Sequence, residues 1–459
     1  MKVGLLPVAR PTFDVEYARR KLESMLSSLE ASGHELLGPR TLLMSAEENA
    51  AALESLSTEA PELVLVCQVT FTDAGFVTEV ADTFAVPLAI WAPREPRVGG
   101  RLRLNAFCGL NLAGHALSRG DRAFSWLHAD PDEAGVDEDL AALLAGERIV
   151  RPLEGEPAIA EALPVQVLEG SRVARIGAPP DGFDTCLHDG AEVARRFGAT
   201  VEELELSELF DTARAVDAVP VAALRERAAR ELDDLDAVDR TELDRSLRLK
   251  LALDATRRDR DIDAFAIRCW PEAFTEYGGA VCGPVSMMGE ARVPCACEAD
   301  VWGALTQIAL QRLADAPVFL VDLVDIDPAD DSAVVWHCGQ APLSMASGRA
   351  RATVHTNRKM PLLYEFPLKP GRVTLFRLSQ ARGLPKVVIA TGEMLERSQA
   401  FTGTSGTLRF DAPADVVRQR VMDSGLEHHM ALAYGDHAEA LSRLAATLEL
   451  PLVDLVERR

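Results

Sequence analysis

The chain has 459 residues, of which 48% are hydrophobic and 26% are charged, and it carries 71 Asp and Glu against 48 Lys and Arg. A hydrophobic fraction this high excludes general disorder, and the length suits roughly two to four domains. The formal net charge of −23 repels nucleic-acid phosphates and anionic lipid headgroups, which argues against both as partners.

The N-terminus and the cysteines indicate the cellular compartment. The apolar stretch of MKVGLLPVARPTFD is short, contains Pro7 and precedes no cleavage site, so it makes a poor signal peptide. No run approaches the roughly 18 apolar residues of a membrane span. The eight Cys are scattered, several in apolar runs such as LVLVC and FAIRC, where a free thiol behaves as a small buried hydrophobe. We therefore expect a cytoplasmic protein.

The first third of the chain alternates predicted strands and helices. Apolar runs predict strands at 2–8, 62–69 and 86–92, and helical spacing predicts helices at 15–32 and 74–84. This alternation is typical of βαβ units with right-handed crossovers, which build a doubly wound layer.

A second α/β unit is predicted to start near Arg172 and to reach a strand at 263–270. Between them, residues 207–261 are rich in charges of both signs, which we interpret as solvated helix faces. The polar stretch from Asp130 to about Pro164 is the expected boundary between the two units.

From Ser332 onward the pattern changes to short alternating segments separated by Gly, Pro and Asn, which predict an antiparallel sheet or barrel. Helix patterns follow at 413–424 and 436–448. We therefore predict two doubly wound α/β domains, residues 1–165 and 166–330, and a C-terminal antiparallel, barrel-like β-rich domain with terminal helices, residues 331–459.

Acidic residues lie in or beside two apolar runs, where a carboxylate must be paired, protonated or bound to a metal. Glu298 and Asp300 precede the helix pattern VWGALTQIALQRLA, where acidic residues also complement the free N–H groups of a helix start. Asp322 and Asp325 lie inside the strand-like run VFLVDLVDID, so each is expected to have a partner.

A third candidate is the pair His428–His429. Adjacent residues of a strand point to opposite sides, so at most one of the two is expected to be a ligand, and an isolated pair is more often structural. Two carboxylates and a histidine suit Mn²⁺ or Mg²⁺. Zinc is disfavoured because Cys295-X-Cys297 lacks the usual spacer, and Cys338 has no motif that supports a nucleophile.

Taken in order, eight motifs make the chain resemble the L-fucose isomerase and L-arabinose isomerase superfamily, more narrowly its L-fucose isomerase-like members. They are ARPTFD (9–14), NAFCGLNLAGHAL (105–117), CWPE (269–272), CACEADVWGALT (295–306), FLVDLVD (319–325), HCG (337–339), KPGRVTLFRL (369–378) and EHHMALAYGD (427–436). The resemblance implies a ketol isomerase that uses Mn²⁺, with Mg²⁺ or Co²⁺ as alternatives, and that forms a homo-oligomer, a hexamer or a trimer or tetramer.

The resemblance also implies roles for individual residues. Glu298, Asp322 and His429 match the metal ligands of the family, and the two carboxylates would also be the catalytic proton shuttles. His337 resembles an extra histidine of the arabinose branch. Arg10 resembles an N-terminal arginine that in the fucose branch reaches a neighbouring subunit's site.

Sugar contacts are harder to assign. Trp91, Trp270 and Trp336 are candidates for stacking on a sugar, although their apolar neighbours favour a core position. Gln68 is a further candidate because open α/β sheets bind ligands beyond the carboxyl ends of their strands.

The chemistry agrees with this resemblance. Aldose–ketose interconversion passes through a cis-enediol, whose developing charge a divalent ion stabilises while carboxylates move the proton. Two alternatives remain open. One is a metal-dependent sugar lyase or epimerase with the same first step, and the other is a non-catalytic sugar-binding or regulatory protein on the same scaffold.

Overall fold

The computed structural model describes residues 1–457. Its N-terminal part is a parallel sheet of five strands in the order β2-β1-β3-β4-β5. The strands are β1 (Lys2–Val8), β2 (Glu35–Leu37), β3 (Leu63–Gln68), β4 (Leu88–Ala92) and β5 (Ser125–His128). The helices are α1 (Val15–Ala31), α2 (Ala46–Glu59), α3 (Gly75–Thr83), α4 (Ala106–Arg119) and α5 (Val136–Leu144). The predicted parallel βαβ layer is confirmed here.

A second parallel sheet has the order β11-β10-β7-β8. The strands of this central region are β6 (Glu156–Pro157), β7 (Arg172–Ile176), β8 (Thr200–Leu204), β9 (Leu232–Asp233), β10 (Ala264–Ile267) and β11 (Cys295–Cys297). Its helices are α6 (Gly190–Phe197), α7 (Leu206–Ala215), α8 (Ala218–Glu231), α9 (Arg240–Arg260), α10 (Cys282–Glu290) and α11 (Val301–Ala314). The two-residue strands β6 and β9 pair outside this sheet, with β20 and β14.

The C-terminal part is a large mixed sheet. Its strands are β12 (Phe319–Asp327), β13 (Ser332–His337), β14 (Ala350–Thr353), β15 (Leu363–Pro367), β16 (Gly371–Ser379), β17 (Lys386–Met394), β18 (Thr404–Phe410), β19 (His429–Tyr434) and β20 (Pro451–Asp454), with helices α12 (Ala414–Ser424) and α13 (Ala438–Thr447). The run β17-β16-β19-β12-β13-β18 is antiparallel throughout, and the pairing of β18 with β17 closes it into a ring. Barrel-like closure of this part is therefore present.

One strand differs from the prediction. The range predicted for the central domain, 166–330, includes β12, but β12 pairs with β13 and β19 inside the large sheet. The strand is buried along almost its whole length by this pairing. Asp322 is therefore held by the barrel, whereas Glu298 follows the last strand of the central sheet.

Helix α4 joins the N-terminal layer to the large sheet. It is buried from Ala106 to Ser118, because both of its faces are covered. The Asn111 amide donates to the Leu426 carbonyl, and His115 Nδ1 lies 2.9 Å from the Gly425 carbonyl oxygen. These contacts fix the N-terminal layer beside the strand start that carries His429.

The buried Asp325 reinforces the same junction. Its carboxylate accepts from Arg94 at 2.5 and 2.8 Å and from Arg97 at 2.6 Å. A buried carboxylate without a cation would cost several kcal/mol, and the predicted partner for Asp325 is confirmed. Among the described residues, no helix is both long enough and apolar enough to cross a membrane.

Candidate active site

Glu298 sits in a tight turn between β11 and α11. Glu298 and Ala299 both adopt the left-handed conformation, with φ of 59° and 58°, which costs an L-residue about 1–3 kcal/mol. The Ala299 N–H donates to the Ile267 carbonyl and the Asp300 N–H to the Cys297 carbonyl, both at 3.0 Å, and these bonds hold the turn. Strain of this kind persists where the surroundings fix a functional side chain.

Asp322 and His429 meet because their strands are neighbours. They are directly opposite each other in the antiparallel register of β12 and β19, which brings side chains close on one face of a sheet. His429 Nε2 lies 3.6 Å from Asp322 Oδ1 and 3.8 Å from Glu298 Oε2. The three residues matched to metal ligands thus converge on one ring nitrogen, although they come from three separate segments of the chain.

A buried ion pair orients the His429 ring. His429 Nδ1 lies 3.0 Å from Asp300 Oδ2, and Arg377 donates to the two Asp300 oxygens at 2.6 and 3.0 Å. A carboxylate at Nδ1 favours the tautomer with its proton on that nitrogen, which leaves the Nε2 lone pair facing Glu298 and Asp322. Burial works against the charged ring, but the Asp300 hydrogen bond and the nearby carboxylates raise the pKa of His429 overall.

Gly303 makes room for this pair. It is the residue whose N–H donates to Asp300 at 2.8 Å in the first turn of α11. A Cβ at this position would collide with the Asp300 carboxylate and would lie 3.0 Å from Arg377 Nη1. The helix start therefore acts both as a hydrogen-bond donor and as a recess for the carboxylate.

Two hydrogen-bond donors hold Glu298. Trp270 Nε1 donates to Oε1, and His428 Nε2 lies 3.0 Å from Oε2; the indole bond is also 3.0 Å. Burial would raise the pKa of Glu298, but the His428 hydrogen bond and the charges of both histidines outweigh it and lower the pKa to about 2. Glu298 is therefore an anion at neutral pH.

The expectation for the histidine pair needs correction. Strand alternation predicts that His428 and His429 point to opposite sides, but β19 begins at His429, so His428 precedes the strand. The two ring centroids are 3.9 Å apart, and both rings face Glu298. His428 contacts the carboxylate as a neighbour of the candidate ligands.

His337 faces the same cluster as a neutral ring. Burial lowers its pKa to about 4. Its Nδ1 accepts the Cys338 N–H at 2.8 Å, so the proton of the neutral ring lies on Nε2. Among residues 1–457 this buried Nε2 has no hydrogen-bond partner. His337 is thus placed to donate to a substrate oxygen.

The donor set fits a divalent cation. Asp322 Oδ1 is buried and accepts no hydrogen bond from any described residue, although an unpaired buried carboxylate oxygen is costly. Ligand atoms of Glu298, His428 and His429 lie within 4.8 Å of one another, as do those of Asp322, His337 and His429. Carboxylate and imidazole donors in this arrangement suit a hard or borderline divalent ion.

Glu298, Asp322, His337 and His428 line one end of a cavity of about 110 Å³, and His429 lies directly behind Glu298 and Asp322. Aromatic rings form much of its wall: Phe13, Phe71, Trp270, Phe274 and Trp336. Of the three tryptophans considered for sugar stacking, Trp270 and Trp336 line this cavity. Trp91 is fully buried in β4, where its indole N–H donates to the Ala129 carbonyl at 2.9 Å.

Of the two other candidates for a sugar contact, Arg10 lines the cavity and Gln68 does not. Arg10 lines the cavity of its own chain and pairs with Asp73 at 2.8 Å. Gln68 is buried behind it, and its amide donates to the Thr70 carbonyl and to Thr72 Oγ1. Sequence reasoning missed Arg377 as the partner of Asp300; the signal available was an arginine inside the apolar strand RVTLFRL.

Comparisons with known proteins identify the family of the chain. A fucose/sulfoquinovose isomerase N-terminal domain matches residues 4–154, and an L-fucose isomerase C-terminal domain matches residues 364–455. The sulfoquinovose isomerase of Alkalicoccus urumqiensis is 32% identical, with 99% of each chain aligned. That of Priestia megaterium is 30% identical, with 97% of each chain aligned. The chain therefore belongs to the L-fucose isomerase-like family and is an aldose–ketose isomerase, an intramolecular oxidoreductase.

Proposed function

We propose that this protein is a divalent-cation-dependent isomerase that converts sulfoquinovose, or a closely similar aldose, into its ketose through a cis-enediol. The observation that carries the proposal is the convergence of Glu298 and Asp322 on His429 Nε2. The names of the full-length relatives support sulfoquinovose as the substrate.

The proposed cation is Mn²⁺, held by Glu298, Asp322 and His429. When bound, it supplies positive charge to the substrate oxygens on the two reacting carbons, where negative charge develops. The Asp300–Arg377 pair keeps the third ligand, His429, oriented. The donor chemistry and the uncompensated Asp322 oxygen support this assignment.

Glu298 and Asp322 are proposed as the proton shuttles. One carboxylate takes the proton from C2 of the aldose while O1 gains a proton, which gives the C1–C2 double bond of the enediol. A carboxylate then returns a proton to C1 while O2 loses its hydroxyl proton and becomes the ketose carbonyl, so that the proton lost by O2 balances the one gained by O1. A positioned acid or base contributes on the order of 10²–10⁴-fold to such a transfer. The low pKa of Glu298 keeps it ionised and able to accept the proton.

His337 and the cavity wall complete the proposed mechanism. The His337 Nε2–H is available for a substrate oxygen, because no described residue accepts from it. Trp270 and Trp336 close the aromatic wall beside the carboxylates. A largely apolar wall excludes water and strengthens the electrostatic interactions inside the site.

The experiment is product analysis in D₂O with the Mn²⁺-loaded protein and sulfoquinovose. We expect a ketose labelled on the carbon next to its carbonyl. Glu298→Gln and Asp322→Asn should each lower kcat at least about 100-fold. Asp315→Asn, at the exposed end of α11, is the matched control and should be unaffected. Two carbon fragments or an epimeric aldose as product, or full activity in both site variants, would contradict the proposal.

Assembly and location belong to the proposal as well. The family resemblance supports a homo-oligomer, a hexamer or a trimer or tetramer, in the cytoplasm. Light scattering after size-exclusion chromatography gives the mass of the assembly directly, and a monomer would contradict this part.

A further inference from the structure

Two arginines share one aromatic ring in the cavity wall. The guanidinium carbon of Arg10 lies 5.3 Å from the Trp270 ring centroid, and that of Arg358 lies 5.9 Å from it. Both side chains line the cavity that contains Glu298 and Asp322. The cavity thus has a carboxylate end and a guanidinium end.

The guanidinium end carries uncompensated positive charge. Arg10 pairs with Asp73, but no carboxylate among residues 1–457 lies within 4.0 Å of the Arg358 side chain. Arg358 is half-buried, and burial together with the charge of Arg10 lowers its pKa. The two arginines therefore face the cavity with one carboxylate between them, and it is Arg358 whose charge has no carboxylate partner among the described residues.

The backbone around Arg358 is fixed in advance. His355 Nδ1 accepts the N–H groups of Asn357 and Arg358 at 3.2 and 3.3 Å. Arg101 in turn donates to the Asn357 side chain at 2.8 Å. Because the loop is already held by these bonds, ordering Arg358 around a ligand costs less entropy than ordering a free surface arginine.

Trp270 sets the spacing between the two ends. Its indole N–H is bonded to Glu298, while its ring lies beside both guanidinium groups. The indole of Trp270 therefore lies between the reacting end, at Glu298, and the cationic end, at Arg10 and Arg358. A six-carbon sugar with its carbonyl at Glu298 and Asp322 would place its sixth carbon near the arginines.

We propose that Arg358, assisted by Arg10, binds the sulfonate on the sixth carbon of the substrate and makes the enzyme specific for sulfonated over neutral sugars. This inference rests on the proposed function. A sulfonate remains ionised at all physiological pH values, and its oxygens match the planar fork of a guanidinium, whereas a neutral hydroxyl leaves the charge of Arg358 uncompensated.

The test compares the Mn²⁺-loaded wild type with Arg358→Gln and Arg358→Lys, using sulfoquinovose and neutral 6-deoxyglucose both as substrates and as ligands in calorimetry. Arg103→Gln is the matched control, because Arg103 pairs with Asp14 against Tyr17 and is absent from the cavity lining. Circular dichroism checks that each variant is folded.

We expect Arg358→Gln to raise the KM and the Kd for sulfoquinovose by about 10- to 100-fold, with kcat changed by less than about threefold. The affinity for 6-deoxyglucose should not change. Arg358→Lys keeps the positive charge but lacks the planar fork of the guanidinium, so its loss of affinity should be smaller and again confined to sulfoquinovose. This variant keeps the test possible if Arg358→Gln does not fold.

The outcomes separate the two proposals. If sulfoquinovose is converted with an unchanged KM in Arg358→Gln, or if both sugars lose affinity equally, the sulfonate site is wrong and the proposed function stands. If sulfoquinovose binds through Arg358 but is never converted, the sulfonate site stands and the proposed function fails. If the wild type neither binds nor converts it, both are wrong.

Discussion

At the scale of single residues, the site is organised around the two nitrogens of His429. Nδ1 faces Asp300, whose charge is balanced by the fully buried Arg377, and Nε2 faces Glu298 and Asp322. Asp300 does not line the cavity, so its contribution is the orientation and basicity of the ring.

Asp300→Asn tests that contribution. The amide keeps the shape of the side chain but removes the charge that holds Arg377 and favours the Nδ1–H tautomer. We expect Mn²⁺ affinity to fall about 10- to 100-fold, measured by calorimetric titration of metal-free protein. Asp315→Asn is again the control, and equal affinity in Asp300→Asn and wild type would show that Asp300 has no orienting role.

Site residues could be predicted from the sequence where they lie in recognisable motifs. Glu298, Asp322 and His429 were named from their motif positions. The contacts of His428 and Trp270 with Glu298 were not predicted, because they depend on the left-handed turn that aims Glu298 at them. Arg377 lies 77 residues from Asp300, and no local pattern connects the two.

At the scale of elements, the start of α11 combines a strained turn with a close approach. Glu298 and Ala299 adopt positive φ immediately before the helix, and Gly303 receives the Asp300 side chain one turn later. The α11 N-terminus thus serves as the rigid support for the carboxylate that orients His429.

Gly303→Ala tests this support. The added methyl would displace the Asp300 carboxylate from Arg377, so we expect destabilisation by about 1–3 kcal/mol in urea unfolding, together with weaker Mn²⁺ binding. Gly190→Ala, at the start of α6, meets nothing within 4 Å and should be neutral or slightly stabilising. Equal stability of the two variants would mean that the Asp300 carboxylate does not need the space that Gly303 leaves for it.

Apolar runs predicted most of the elements well, because buried strands such as β3 are continuous hydrophobic segments. The sheet that β12 joins was not predictable for a physical reason: an apolar run shows that a strand is buried but does not identify its partner. Strands β6 and β9 have two residues each, too few to show a period. Predicted domain boundaries at 165 and 330 stay a prediction.

At the scale of the whole molecule, the three sheets contribute different functions to one cavity. The N-terminal sheet provides Arg10, the central sheet leads into Trp270 and Glu298, and the large sheet provides Asp322 and His337. The residues that we propose to act together come from different sheets, so they stay together only while the sheets stay packed. The contacts of α4 and of Asp325, which hold the N-terminal layer against the large sheet, are therefore required for activity.

Buried histidines outside the metal cluster predict how stability depends on pH. Burial lowers the pKa of His115 and His128, and it lowers that of His355 to about 3. In the unfolded chain each takes up a proton near pH 6.5, so the unfolded state binds more protons below that pH. Stability should therefore fall as the pH drops below about 6.5, by up to about 1.4 kcal/mol per pH unit for each histidine.

Thermal unfolding of the metal-free protein between pH 7.5 and 5 measures this dependence. We expect the midpoint to decrease steadily below about pH 6.5 and to be nearly flat above it. A midpoint that rises on acidification would contradict this prediction.

We propose that Glu298, Asp322 and His429 hold one divalent cation at the reacting end of the cavity. Anomalous X-ray scattering at the manganese edge, from crystals soaked in Mn²⁺, tests it most directly. We expect a single strong peak within about 2.6 Å of all three side chains, and we expect it to be lost in Asp322→Asn. A peak at other residues, or none in the wild type, would contradict it.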